Sequence, residues 1–333
     1  MIGRDQLQAA ADCILESEPD ILVRLRLRRV VLKIPATDLA ADQQILDANP
    51  WVTQLSAEQR ADGGWGRFHS RDSKSRYKIL TTEMGVGRGL ALGLEITHPL
   101  FCRTGDYLAR LLQGSLDFPD PSERNNRWPV GKQLFTAATL AGLKPHHPFI
   151  DPAFALWTEI AARAFSCGTY DPEAEDQAHA ELTGASIRNS YLVLNNKYAL
   201  TLLSARPDDL PAGLAARILD WVWKCGEGVR YLGVPAWLPP SGKSPSAIDR
   251  WFSTQELLAR FPGWQELSRP LIEWLWEQRN PDGLWDFGPG LSSAWYWPLS
   301  ARRSRLARGH DHSLRVLALI ANATTPPETN LTA

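Results

Sequence analysis

Apolar positions along this chain recur mainly at helical spacing, and the helical runs come in pairs. Residues 55–68, LSAEQRADGGWGRF, and residues 275–288, LWEQRNPDGLWDFG, share one pattern: an apolar helical run, E-Q-R, a short gap, then D-G-x-W. In each copy Asp and Gly suit a helix C-terminus and a tight turn, from which the tryptophan folds back over the helix end. After a loop each copy leads into a second helical run, Thr81-Thr82-Glu83 into MGVGRGLALGL and Asp311-His312-Ser313 into LRVLALIANA. Thr, Asp and Ser side chains accept backbone N–H bonds, so these openings read as helix starts. Weaker copies lie between, leading into KQLFTAATLAGL, NSYLVLNNKYALTLL and RWFSTQELLARF. The second helices are therefore expected near Thr82, Gln133, Ser190, Ser253 and His312, at intervals of about 51, 57, 63 and 59 residues.

A sixth pair fits the first 45 residues. Within ILVRLRLRRVVLKI, residues 23–28 alternate like a strand, but Val23, Leu27, Val30, Val31 and Ile34 form a longer helical stripe. Helix is the better reading. Its arginines suit either a membrane-binding face or a solvated face balanced by Glu16, Glu18 and Asp20, and the second is preferred. Few segments look like strands, so the expected fold class is all-α, with five to six helical hairpins in tandem. Such hairpins curve into an open solenoid or close into a ring, and periodicity does not choose.

Composition adds less. A length of 333 residues allows one large domain or two small ones. Lys and Arg total 36 against 37 Asp and Glu, a net charge of −1 that argues against nucleic acid as a partner. Four cysteines, Cys13, Cys102, Cys167 and Cys225, are widely spaced and read as buried reduced thiols, with no disulfide-linked partner. The N-terminal residues have no apolar signal core and no run spans a membrane, so a cytoplasmic location is expected. Tryptophan is abundant: 14 residues, ten of them between Trp221 and Trp297. Trp65, Trp285 and Trp128 belong to repeat turns, while Trp221, Trp223, Trp274 and Trp276 suit packing between helices. Trp237, Trp251, Trp295 and Trp297 are left as candidates to face a ligand.

The motifs EQRADGGWG and EQRNPDGLW resemble the repeat of squalene cyclases and protein prenyltransferase β subunits, in which Q-x-x-D/N-G-x-W follows an outer helix. The segments LESEPDILVRLRLRRV, WVTQLSAEQRADGGWGRFHS and IEWLWEQRNPDGLWDFG, with YWPLS and HDHSLRVL, resemble small bacterial members of that superfamily. The likeness covers nearly the whole chain, though only the two D-G-x-W repeats are specific. It implies a single α/α-toroid domain over residues 1–325, with 326–333 a disordered tail. It also implies a small apolar or isoprenoid-like ligand in a central cavity, handled by acid/base or carbocation-directing chemistry. Two family features are missing. No D-x-D-D acid motif is present, and no D-x-C precedes His312 to complete a prenyltransferase zinc set, so no metal site is expected.

If the ring forms, the inner-helix starts gather their polar residues at one end. Glu83, Asp311 and His312 are then candidate catalytic groups, as is His69 just beyond the first repeat turn; carboxylates beside apolar walls suit acid work. Asp171 heads an acidic cluster, Asp171, Glu173, Glu175 and Asp176, that suits Mg²⁺ only where the substrate is a diphosphate. Arg302, Arg303, Arg305 and Arg308, the run ARRSRLAR, offer forks for a phosphate or carboxylate, Arg302 and Arg303 being the candidates for a ligand, with Asp286 as the alternative partner of the run. His310 and His312 would point about 200° apart on a helix, which disfavours a shared metal. Two other readings stand beside an enzyme for apolar substrates: a non-catalytic binding or scaffold protein, and a toroid enzyme acting on a sugar or peptide.

Overall fold

A computed structural model of the chain describes residues 2–185, 190–240, 245–288 and 304–324. Among these the protein is all-α, with fourteen α-helices and no strand. The helices are α1 (Arg4–Glu16), α2 (Ile21–Arg26), α3 (Ala40–Asp47), α4 (Pro50–Glu58), α5 (Thr82–Leu92), α6 (Pro99–Gln113) and α7 (Trp128–Ala141). There follow α8 (Asp151–Ala164), α9 (Pro172–Thr183), α10 (Lys197–Ser204), α11 (Leu214–Lys224), α12 (Pro245–Leu258), α13 (Trp264–Glu277) and α14 (Arg305–Thr324). The chain divides into two compact units. A terminal unit comprises Met1–Gln54, Ala91–Gly93 and Trp237–Ala333, and a central unit comprises Leu55–Leu90 and Leu94–Ala236.

In the terminal unit α14 is buried along most of its length and packs on α1, α2 and α13. The basic segment is helical, as its apolar stripe requires, and α2 runs on into a π-helical turn at Leu27–Val31. Its charges are balanced by a partner the sequence did not suggest. Arg24 and Arg28 both pair with the buried Asp42, at 2.8 and 2.6 Å, while Arg26 and Arg29 donate to the Ala91 and Gly93 carbonyls. In the central unit α7 packs on α6 and α10, and α8 on α9. The four cysteines are free, but Cys13, Cys102 and Cys167 are exposed, which corrects the expectation of buried thiols.

Both D-G-x-W copies fold as the pattern predicts. Trp65 and Trp285 are fully buried, and each indole Nε1–H donates to a carbonyl ten residues back, on Leu55 and Leu275. The turns match as well: Arg60 N donates to Gly64 O and Asn280 N to Leu284 O, both at 2.8 Å. Gly63 and Gly283 take φ of 99° and 80°, the left-handed region that glycine enters without strain. Each Trp backbone N–H then reaches a hydroxyl on a later helix, Thr82 Oγ1 at 3.1 Å and Ser313 Oγ at 3.0 Å.

The second helices begin elsewhere than expected, except α5. Helix α7 starts at Trp128, where Pro129 fits the first turn, and α10 at Lys197 behind the cap Asn196, whose side chain accepts from Tyr198 N and Ala199 N. Helix α12 starts at Pro245 and α14 at Arg305. Ser253, Asp311 and His312 consequently lie inside helices, and Ser190 closes a local turn to Leu192 N. At α5 the capping hydroxyl is Thr81 Oγ1, which accepts from Met84 N, while Thr82 holds Trp65. Asp171 caps a helix, with Oδ1 accepting from Glu173 N and Ala174 N at the start of α9.

Candidate functional site

The first repeat delivers His69 to a prepared position in the central unit. Beyond Trp65 the chain bends at Gly66, where φ is 41°, Arg67 N donates to Leu80 O, and Asp120 takes the next three amides. Asp120 Oδ1 accepts from Phe68 N at 2.6 Å, and Oδ2 accepts from His69 N at 3.0 Å and Ser70 N at 2.6 Å. A buried carboxylate with three backbone donors fixes this segment firmly. The aspartate lies between Pro119 and Pro121, and Phe118 beside it packs on Phe68 and Trp128.

His69 then meets Glu83, from the first turn of α5. Nδ1 lies 3.0 Å from Glu83 Oε2, and the Tyr198 hydroxyl, from α10, donates to the same carboxylate oxygen at 3.1 Å. Glu83 is 8% exposed, and its Oε1 has no hydrogen-bond partner among the described residues. Phe135, from α7, stacks face to face on the imidazole with centroids 4.6 Å apart, and Tyr198 and Tyr231 present their edges at 5.7 and 6.5 Å. Burial works against protonation of His69, but the Glu83 hydrogen bond and charge, with Asp120 behind them, outweigh it and hold the pKa above its ordinary value. A ring face adds cation–π attraction for the charged form. Nδ1 faces Glu83 Oε2 and also lies 3.1 Å from the Tyr198 hydroxyl, and among the described residues Nε2 has no partner. That nitrogen is the one able to exchange a proton with a bound molecule.

The second repeat builds a different cluster in the terminal unit. Asp286 receives a two-pronged fork from Arg308, Nε to Oδ1 at 2.8 Å and Nη2 to Oδ2 at 2.7 Å, which holds its carboxyl below the usual range. This is the pairing the basic run suggested. His312 is buried, accepts the Phe287 N–H on Nδ1, and is pushed by burial down to about 4. It is neutral near pH 7 and its Nδ1 is occupied. His310 meets Ser17 Oγ at 2.8 Å, and Asp311 is 1% exposed within α14. Arg315 lies between Asp249 and Glu256 and also donates to Ser253 Oγ.

Sequence reasoning thus named two groups that come together, His69 and Glu83. It missed Asp120, Phe135, Tyr198 and Tyr231, and only the prolines flanking Asp120 hinted at a fixed turn. Asp171 is engaged as a helix cap. Glu175 from the same acidic cluster is fully buried, accepts from Tyr170 Oη and from Leu194 N at 2.7 Å, and is raised by burial to about 7. Trp251 is 1% exposed with its Nε1–H on the Leu238 carbonyl, whereas Trp237 is 47% exposed. Trp295, Trp297, Arg302 and Arg303 lie outside the described residues, as does the tail 326–333. A groove of about 730 Å³ in the terminal unit, lined among others by Leu7, Lys33, Arg269 and Ile272, includes none of the candidate groups. Among the described residues no three His, Cys, Asp or Glu side chains gather as a metal site, and no helix is long and apolar enough to cross a membrane.

No protein-family profile, curated protein or solved structure matches the chain.

Proposed function

We propose that the chain is an enzyme of the terpene cyclase and prenyltransferase-like toroid superfamily, acting on an isoprenoid or other largely apolar substrate. His69 and Glu83 are its acid–base pair. One observation carries this reading: Glu83 holds Nδ1 of His69 and leaves Nε2 open beside aromatic rings. An imidazolium is far too weak an acid to protonate an isolated alkene, which agrees with the missing D-x-D-D motif. The role assigned to His69 is proton transfer beside a carbocation or at an oxygen. Neutral Nε2 takes the proton from the carbon next to the cation, the C–H electrons close the new double bond, and the imidazolium is steadied by Glu83 and the Phe135 face. Tyr198 keeps the carboxylate oxygen directed at Nδ1.

The test is incubation of the purified chain with linear isoprenoids and prenyl diphosphates, with Mg²⁺ for the latter, and detection of products by mass spectrometry. Turnover is expected in the wild type, with His69→Gln and Glu83→Gln lowering kcat by about 10²–10⁴-fold. Absence of both turnover and binding in the wild type, or full activity in His69→Gln, overturns the reading.

A further inference from the structure

Beyond α11 the chain makes a compact turn whose backbone is held in an unusual state. Gly228, Tyr231 and Gly233 all have positive φ, at 68°, 75° and 64°. At Gly228 a side chain has no room, since a Cβ there would lie 1.9 Å from the Val234 carbonyl oxygen. Tyr231 has no such excuse. It is a bulky residue in the left-handed region, where the Cβ crowds the backbone.

The neighbours enforce this state. Arg230 N donates to Asn195 O at 2.9 Å, Lys197 N to Arg230 O at 3.2 Å, and Gly233 N to Val229 O at 2.8 Å. Asn195 Nδ2 also donates to Gly228 O at 3.2 Å. The turn is therefore tied to the segment that caps α10 and carries Tyr198. Core packing alone does not account for the tyrosine, because the residue is only partly buried, 46% exposed. What the strained backbone does achieve is to set the ring edge-on to His69 and to Tyr198, with centroids 6.5 and 5.5 Å apart. Strain that persists without a packing return belongs with function.

We infer that Tyr231 is the roof of the His69 site, a gating residue whose ring covers the approach to Nε2 and contacts whatever reaches it. The roof presents an uncharged O–H, as any phenol does near pH 7, and partial burial pushes it further up, to about 12. The inference rests on His69 being the reactive group, but its test does not need turnover.

Diethylpyrocarbonate acylates neutral imidazole, and peptide mass spectrometry on the full-length chain reads the rate at each of the seven histidines. At a pH where His69 is neutral, Tyr231→Phe should keep the wild-type rate. Tyr231→Ala and Tyr231→Gly should both raise the rate at His69 severalfold and leave the other histidines unchanged. The two differ in stability: alanine keeps the crowded backbone and lowers Tm, while glycine relieves it and does not. An unchanged His69 rate in both variants, or a Tm loss in Tyr231→Gly equal to that of Tyr231→Ala, overturns the inference. Failure of turnover in the wild type leaves these rates readable and counts against the catalytic reading alone.

Discussion

The two D-G-x-W copies share a frame and differ in what they do with a histidine. In both, the tryptophan is buried, its indole N–H donates to a carbonyl of the preceding helix, and its backbone N–H meets a hydroxyl on the next helix of the repeat. In the central copy the chain beyond the tryptophan presents His69 to a buried carboxylate, which favours the charged ring and leaves Nε2 open. In the terminal copy the residue after the tryptophan is Asp286, whose charge is taken by Arg308. There the nearby His312 accepts a backbone N–H and stays neutral. A carboxylate next to an imidazole does not by itself make a reactive pair. Burial keeps His312 neutral, and Asp286, 3.7 Å from its Nδ1 and engaged by Arg308, does not offset it.

The shared frame should give the largest effects. Trp65→Ala and Trp285→Ala each remove a fully buried indole and its hydrogen bond, and each should cost about 3–5 kcal/mol, read by urea unfolding. Around Trp65 the fit is tight enough that a Cβ on Gly85 would lie 2.4 Å from the indole ring. A loss under about 1 kcal/mol at either site would break the claim that the two turns are equivalent.

That frame is also the part most legible in the sequence. D-G-x-W signals a capped helix end through local chemistry, and local chemistry survives folding. Helix starts were legible only at α5. Elsewhere Ser253, Asp311 and His312 looked like caps, but a polar residue inside a helix reads the same way when its partner comes from a distant element, as Arg315 does for Ser253. His69 and Glu83 could be named because each lies within a few residues of a repeat landmark. Asp120 lies about fifty residues from the amides it holds, and Tyr198 is 115 residues from Glu83, so no spacing rule joins them.

The contrast between the histidines sharpens next. His312 binds its proton near 6.5 when unfolded and near 4 when folded, so the unfolded chain takes up protons first as pH falls. Folding stability should therefore drop by about 3 kcal/mol between those values. His312→Asn, which keeps an acceptor for the Phe287 N–H, should remove that step from a plot of urea midpoint against pH. His69 should show the opposite sign. Its folded pKa is raised, so its contribution is complete below the unfolded value of 6.5 and is lost as pH rises through the folded one. The effect should be smaller, because the His69 side chain is 29% exposed and solvent screens the pair. Glu83→Gln should abolish it, and an NMR titration in which His69 falls below its ordinary range would contradict the assignment.

The smallest effect probes how the central copy keeps its carboxylate for His69. Tyr198→Phe preserves the ring contacts with Phe135 and Tyr231 and removes the hydroxyl that donates to Glu83 Oε2 and lies 3.1 Å from His69 Nδ1. The stability loss should be about 1 kcal/mol, the usual net value of one hydrogen bond. The informative readout is His69. With one donor gone, the carboxylate charge falls more fully on Nδ1, so the NMR titration of His69 should move further up. In the terminal copy the Arg308 fork has the Asp286 carboxylate, so the equivalent response is not expected there. A His69 titration that stays put in Tyr198→Phe would mean that the tyrosine orients the pair without competing for its charge.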